Sequence, residues 1–372
     1  MELLSSRYVY DTNPHKLLNK LQLEMKQQVD DKVASGYYAF ESVRCCVCGQ
    51  RDFDLLSEKD RYGLWMSVKI CQVCGLIQTN PRMTQAAYDE FYQIEYRKLY
   101  QGEDRPTNQI FYDAYLRGRN IYNYLQPWFS RPVNEYFVLE VGCGCGGVLQ
   151  AFREQGCQVK GFDPGTEYLD FGRTNYGLDL VAGTLDDLVL HRSPDIIIYS
   201  HVFEHILDLH AELRTIKRAL AKDGLLFIEL PGVKNIENVY EGDFLLLLQN
   251  AHTYHFTLLT LTNLLQLHGF YCLAGNEVVF AIFSTDPSQT SREPTIQNDY
   301  SSVLSFLSNV ESRYQVQQGL INYKNNRFFE AAEHFAEGVR LHPTNTQVRR
   351  LWAVTLMKMD RVDDAVKMWQ TS

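Results

Sequence analysis

Between residues 136 and 283, short apolar runs alternate with stretches of helical pattern: Phe137-Val138-Leu139-Glu140-Val141, Val159-Lys160-Gly161-Phe162, Ile196-Ile197-Ile198-Tyr199 and Leu225-Leu226-Phe227-Ile228-Glu229-Leu230. Near-continuous Val, Ile and Leu runs separated by helices are the signature of a parallel sheet covered on both faces, so this region is predicted to be a doubly wound α/β domain. Its first strand leads into Glu140-Val141-Gly142-Cys143-Gly144-Cys145-Gly146-Gly147. Glycines there let the backbone turn sharply and lie against a ligand where a Cβ would collide.

The glycines alone leave the ligand open. Gly142, Gly144 and Gly147 satisfy G-x-G-x-x-G, the dinucleotide fingerprint. Asp163 ends the second strand 21 residues after Gly142, where a carboxylate can take both hydroxyls of a ribose, a feature shared by more than one cofactor class. The acidic Glu140, two residues before the first glycine, and the segments that follow make the distinction.

Taken in order, Glu140-x-Gly142-x-Gly144-x-Gly146, Gly161-Phe162-Asp163-Pro164, Ser200-His201-Val202-Phe203-Glu204-His205-Ile206-Leu207-Asp208 and Leu220-Ala221-Lys222-Asp223-Gly224-Leu225-Leu226 resemble the class I S-adenosylmethionine-dependent methyltransferases. The resemblance implies a Rossmann-like seven-stranded sheet with an antiparallel last strand and the cofactor across the C-terminal strand ends. It places the cofactor against Glu140, Gly142, Cys143, Gly144, Asp163, Ser200 and His201, with Thr184-Leu185-Asp186 at the adenine. Asp186 and Asp187 read equally as a solvated helix cap, and Glu204 with His205 as a hydrogen-bonded pair at a helix start.

Cys45-x-x-Cys48 and Cys71-x-x-Cys74 are two knuckles separated by 22 residues. Each can supply two thiolates to a tetrahedral zinc, with Gly49 and Gly75 permitting the turn after each knuckle. Four thiolates close the coordination sphere, so the expected zinc is structural; loss of metal or an iron–sulfur site are the alternatives, and Cys46 is a spare or an alternative ligand. A zinc ribbon followed by Asn80-Pro81-Arg82, Phe91-Tyr92-x-x-Glu95-Tyr96-Arg97 and a methyltransferase region is similar to the bacterial group that includes sugar C-methyltransferases, over roughly residues 42 to 283. That group acts on nucleotide-linked deoxysugars and usually carries a further α/β domain at its C-terminus.

Methyl transfer from a sulfonium is an in-line displacement, helped by a base when the acceptor is a hydroxyl or a carbon acid. The candidate segment is Gln249-Asn250-Ala251-His252-Thr253-Tyr254-His255-Phe256-Thr257. His252 matches the histidine proposed as base in the sugar C-methyltransferases, with Gln249 and Ala251 replacing the Tyr and Glu of their Tyr-x-Glu-His motif. Tyr254 and His205 are further catalytic candidates. A loop histidine bonded to a backbone carbonyl is the competing reading of His252, and His255 is expected to pack beneath the loop.

The remaining chain divides by composition. Residues 1–40 read as an N-terminal helical extension, 41–80 as the ribbon and 81–130 as a tyrosine-rich helical connector. Residues 131–285 form the cofactor-binding domain, and 286–300, with Pro287 and Pro294, a linker. In 301–372, Gly319, Phe328, Ala331, Phe335 and Pro343, answered about 34 residues later by Ala353, Val362, Ala365 and Trp369, fit tetratricopeptide-like repeats that can dock a protein partner. A helix near Val303 to Tyr314, or another surface, is expected to complete the stack.

A net charge of −9 argues against a nucleic-acid partner. No apolar run long enough to span a membrane and no signal-peptide pattern appear, so the expected address is the cytoplasm. The predicted activity is methyl transfer to a small molecule, a nucleotide-linked sugar or glycan precursor. An O- or N-methyltransferase of another metabolite or a carrier-bound substrate, and a non-catalytic scaffold using the repeats, are the alternatives.

Overall fold

A computed structural model describes residues 3–102, 105–187, 190–286 and 295–370. Strands β1 (Phe40–Glu41) and β5 (Arg82–Met83) pair with each other, and between them β2 (Phe53–Lys59), β3 (Trp65–Cys71) and β4 (Ile77–Thr79) form an antiparallel sheet. The parallel strands follow as β6 (Phe137–Val141), β7 (Gln158–Asp163), β8 (Leu180–Ala182), β9 (Ile196–Ser200) and β10 (Leu225–Glu229). Next, β11 (Tyr254–His255) leaves that sheet and pairs with β4, after which β12 (Tyr271–Ala274) and β13 (Phe280–Ser284) return to it. The large sheet has the order β12-β13-β10-β9-β6-β7-β8, with β13 antiparallel to both neighbours. The expected Rossmann-like seven-stranded methyltransferase architecture is present.

Alternation along the central strands feeds two cores. Leu139, Val141, Ile197, Tyr199, Leu226 and Ile228 face one side, while Val138, Ile196, Ile198, Leu225 and Phe227 face the other. Each such side chain contributes about 1.5–3 kcal/mol on leaving water, so the strand ends are held rigidly and can position a site. The helix Asn108–Leu125 belongs to this domain's covering layer. Gly118 lets it approach the helix Gly147–Glu154 so closely that a Cβ there would lie 2.6 Å from Val148 Cα.

Three expectations change. The ribbon does not stand apart, because β11, from the candidate catalytic segment, is a strand of its sheet. The expected linker is pinned where it is described: the Asp299 carboxylate accepts from Lys234 (3.0 Å) and Thr257 (2.7 Å), and Asn263 bonds the Gln297 backbone; Pro287 and Pro294 lie outside the described residues. Val303 to Tyr314 is not a separate helix but the first half of the helix Tyr300–Lys324. Its Val303, Leu307 and Val310 join Leu56, Met66 and Val68 in one core. Burial of those apolar residues against β2 and β3 holds this first half of the helix on the ribbon sheet.

The N-terminal extension follows the same logic. Its helix runs Lys20–Ala34, opened by an Asn19/Gln22 capping box. Upstream, Ser5, Arg7 and Tyr8 all bond the buried carboxylate of Glu311, which ties this segment to the helix Tyr300–Lys324. The tail continues as helices Phe328–Leu341, Thr346–Lys358 and Val362–Gln370. Gly319 faces the Phe335 ring and Ala331, Ala353 and Ala365 are buried, while the side chain of Trp369 lies outside what is described. Among the described residues, no helix is long and apolar enough to cross a membrane.

Candidate functional site

The glycine loop leaves β6 at the C-terminal edge of the sheet. Gly142, Gly144 and Gly146 have φ of +68°, +51° and +79°, values that cost an L-side chain but not glycine. A Cβ at Gly142 would also lie 2.4 Å from Val202 Cγ2. Beside the loop, the Asp163 carboxylate accepts from the N–H groups of Gly144 (3.0 Å) and Gly165 (2.7 Å) and pairs with Arg97 Nη2 at 2.6 Å. Arg97 in turn lies over the Tyr168 ring, 4.1 Å from its centroid. Sequence reasoning did not single out Arg97; its signal was its place at the end of the Phe91-to-Arg97 motif.

Glu140 is buried, its Oε2 has no hydrogen-bond partner, and burial holds its carboxyl well above the usual range. An unsatisfied acid beside a glycine cradle fits a ligand that brings its own donors. Cys143 turns its sulfur inward, against Gly161, so only its backbone faces the loop. Ser200 Oγ donates to Glu229 Oε2 at 2.7 Å, and His201, with φ of +56°, stands 3.8 Å from Glu204 and 3.7 Å from Glu229. Thr184 is exposed after β8, Leu185 is buried in the core, and Asp186 bonds Thr215 and Arg218. Asp186 therefore acts on the helix Leu209–Ala219 in this structure.

A second cluster forms where the loop after β9 meets the segment 249–257. His205 Nε2 and His252 Nε2 each lie 3.8 Å from Glu204 Oε1, and the two imidazoles meet edge to face at 4.7 Å. The backbone builds this meeting: Thr253 N–H donates to Glu204 O (2.9 Å), and His205 Nδ1 bonds Ala251 O (3.0 Å). Glu204 does not act as a capping partner, since neither of its carboxyl oxygens has a hydrogen bond. Burial pushes its carboxyl up to about 8 and His205 down to about 4, and holds His252 well below its usual range. The resting cluster is thus an acid beside neutral imidazoles. The donor atoms lie within 4.8 Å of one another, close enough to share a proton or hold a cation.

Gln249 contacts His252 through their two Nε2 atoms, so the amide donates and the His252 proton sits on Nδ1. The carboxylate that Ala251 does not supply comes instead from Glu204, a partner that sequence spacing could not reveal. Tyr92 and Tyr96 wall the cluster with ring centroids 5.8 and 5.5 Å from His205, and Tyr88 donates to Ala251 O. Tyr254 does not join it. Its hydroxyl donates to Leu207 O and accepts from Arg82 Nη1, both at 2.9 Å, where the ribbon meets the domain. His255 is buried beneath the loop.

The four ribbon cysteines converge. Cys45 and Cys74, and Cys48 and Cys71, have sulfurs 3.4 Å apart, and all four sulfurs lie within 4.8 Å of one another. Around a tetrahedral zinc at about 2.3 Å per bond, sulfurs sit about 3.8 Å apart, so the set fits such an ion. The knuckles are built alike, Gly49 N donating to Cys45 O and Gly75 N to Cys71 O. Cys46 points away, 3.9 Å from His210 Nε2.

Comparison with known proteins agrees with this geometry. Residues 114–274 match the family described as methyltransferase domain. A C-methyltransferase from Streptomyces niveus, NovU, is 27% identical over 157 residues, 39% of this chain and 37% of that protein. The ubiquinone biosynthesis O-methyltransferase of Actinobacillus pleuropneumoniae is 32% identical over 101 residues, 24% of this chain and 43% of that protein. Among solved structures, the plantazolicin methyltransferase BpumL aligns at 17% identity over 52% of this chain and 79% of its own, with a TM-score of 0.41. The chain spans less than half the length of the curated relatives named here. On the family match and the sheet order together, residues 114–274 form a class I S-adenosylmethionine-dependent methyltransferase domain.

Proposed function

We propose that this chain transfers a methyl group from S-adenosylmethionine to a small-molecule acceptor, a nucleotide-linked sugar or related glycan precursor, with His252 as the base. The observation that carries the reading is the glycine cradle at the end of β6 with the Asp163 carboxylate beside it, in a domain whose sheet order and family match agree. S-adenosylmethionine, when bound, supplies a methyl group on a sulfonium. Gly142 and Gly144 would admit its methionine part, Glu140 would take a donor from it, and Asp163 would take the ribose hydroxyls once Arg97 yields. Zinc in the Cys45, Cys48, Cys71 and Cys74 set would hold the ribbon sheet, and through β11 the segment that carries His252.

His252 is neutral and buried, with the lone pair of Nε2 facing the Gln249 amide. An acceptor hydroxyl or acidic C–H that displaces this amide meets that lone pair, and its proton passes to His252 Nε2, 3.8 Å from the Glu204 acid. Tyr88, Tyr92 and Tyr96 exclude water from this point. The O-methyltransferase relatives favour a second reading in which the acceptor atom is a metabolite hydroxyl; the same base serves it. The tail would dock a protein partner through tetratricopeptide-like hairpins in either case.

S-adenosylmethionine should bind the full chain in calorimetry, and a screen of nucleotide-sugars should reveal an acceptor by release of S-adenosylhomocysteine. Binding of NAD with no heat from S-adenosylmethionine would sink the reading. His252→Ala should lower turnover by about 10²–10⁴ with cofactor affinity nearly kept. Unchanged turnover rejects the base role.

A further inference from the structure

We propose that Lys16 and Arg61 form an anion subsite beside the aromatic rings next to Gln249, and that the methyl acceptor carries a phosphate or diphosphate group held there. The identity of the occupant rests on the methyl-transfer reading; the subsite itself rests on charge and geometry.

Arg61 lies in the turn between β2 and β3, and its guanidinium reaches only neutral acceptors. Nη1 donates to Leu246 O (3.1 Å), and Nη2 to Tyr62 OH (3.1 Å) and Gln249 Oε1 (2.7 Å). Its Nε is buried with no partner. Lys16 stands close by, its Nζ 5.4 Å from the centroid of the Tyr62 ring, which Arg61 Cζ approaches at 5.1 Å. Burial and the neighbouring Arg61 both push the Lys16 ammonium down. Among the described residues, neither cation has a carboxylate within ion-pair distance. Asp60 is the nearest acid in sequence, but its oxygens are taken by the N–H groups of Tyr62, Leu64 and Asn250.

Two mutually repelling cations, one with an idle buried donor, are costly to hold together unless an anion joins them. A phosphoryl group suits the vacancy in charge: one oxygen can accept from the planar guanidinium edge and another from the ammonium. Next to Gln249 stand the rings of Tyr62, Phe91, Tyr96 and Tyr100, and Tyr100 is half-exposed. Gln249 spans the gap to the base, Oε1 on Arg61 and Nε2 on His252. One amide group separates the anion subsite from the base, so a single small molecule can reach both. Lys16 comes from the N-terminal extension, outside the region that resembles other methyltransferases, and Arg61 from the ribbon, which gives both appendages a part in choosing the acceptor.

The test is calorimetry on the full chain with inorganic pyrophosphate, malonate and S-adenosylhomocysteine as separate probes. Pyrophosphate should bind, and Arg61→Gln should weaken it about tenfold or more. Lys16→Gln should act in the same direction, and among the described residues its side chain makes no hydrogen bond whose loss could unsettle the fold. S-adenosylhomocysteine affinity should stay within about twofold in both variants. Pyrophosphate that does not bind, or binds equally to both variants, overturns the subsite, and tighter binding of malonate overturns the assignment to phosphate. If S-adenosylhomocysteine fails to bind while pyrophosphate still depends on Arg61 and Lys16, the methyl-transfer reading falls and the anion subsite stands.

Discussion

The four-cysteine cluster and the Glu204–His205–His252 cluster are both convergent sets of polar side chains, yet they are built in opposite ways. Each cysteine pair sits on one short knuckle whose backbone hydrogen bonds repeat in the other. The acid and imidazoles come from two segments almost fifty residues apart, brought together by the bond from Thr253 to Glu204 and by the pairing of β11 with β4. The first cluster carries its geometry in local sequence; the second borrows it from the ribbon. The cysteine sulfurs close on one another, whereas neither carboxyl oxygen of Glu204 has a hydrogen-bond partner. The pairing of β11 with β4 makes the second depend on the first.

Breaking the ribbon is therefore expected to have the largest effect. Cys71→Ser should abolish stoichiometric metal, measured by elemental analysis, and lower the melting temperature by about 10 °C or more, since metal binding in such modules is folding energy. Cys46→Ser should do neither, because its sulfur faces His210. If Cys71→Ser keeps turnover and thermal stability, the dependence of the acid–histidine cluster on the ribbon is wrong.

A smaller effect probes the second cluster through pH. The Glu204 carboxyl is raised by burial to about 8 in the folded chain and titrates near about 4.3 when unfolded. Its contribution to stability is full below about 4.3 and is lost as pH rises towards 8, because over that window only the folded chain keeps the proton. His205 and His255, lowered by burial to about 4 and about 3, act the other way: their contribution is present above about 6.5 and is lost as pH falls. Glu204→Gln should remove the alkaline loss, gaining stability over wild type between pH 5 and 8 by on the order of a few kcal/mol. Denaturant melts across that range measure it; an equal alkaline decline in both proteins would place the cost of burial elsewhere.

These two clusters also mark what the sequence could convey. Strand runs such as Ile196–Tyr199, the glycine spacing and Cys-x-x-Cys are local patterns, so a doubly wound sheet, the cradle and the convergence of four cysteines could be read directly, while the count of seven strands came from the resemblance to class I methyltransferases. Glu204 as the acid beside His252, Arg97 on Asp163 and Arg61 beside Gln249 are encounters between distant segments, and no periodicity encodes them. Apolar burial at Val303, Leu307 and Val310 and the β11–β4 pairing join the ribbon to its neighbours, and such contacts leave no mark in local composition.

The smallest expected effect separates a residue of the join from a residue of the chemistry. Tyr254 lies only two positions from His252, and its hydroxyl is spent on Leu207 O and Arg82 Nη1. In Tyr254→Phe the Leu207 carbonyl keeps a donor, because Arg82 Nη1 already reaches it at 2.7 Å. No buried acceptor is orphaned, so the loss should be near the net worth of one hydrogen bond, about 1 kcal/mol, or about 2–4 °C in melting temperature. Turnover should stay within about twofold, since Tyr254 faces the ribbon sheet and His252 keeps its contact with Gln249. A loss of turnover comparable to that of His252→Ala, with melting unchanged, would instead move Tyr254 from the join into the reacting cluster. It would also mean that β11 serves the chemistry directly and not only by anchoring His252 to the ribbon.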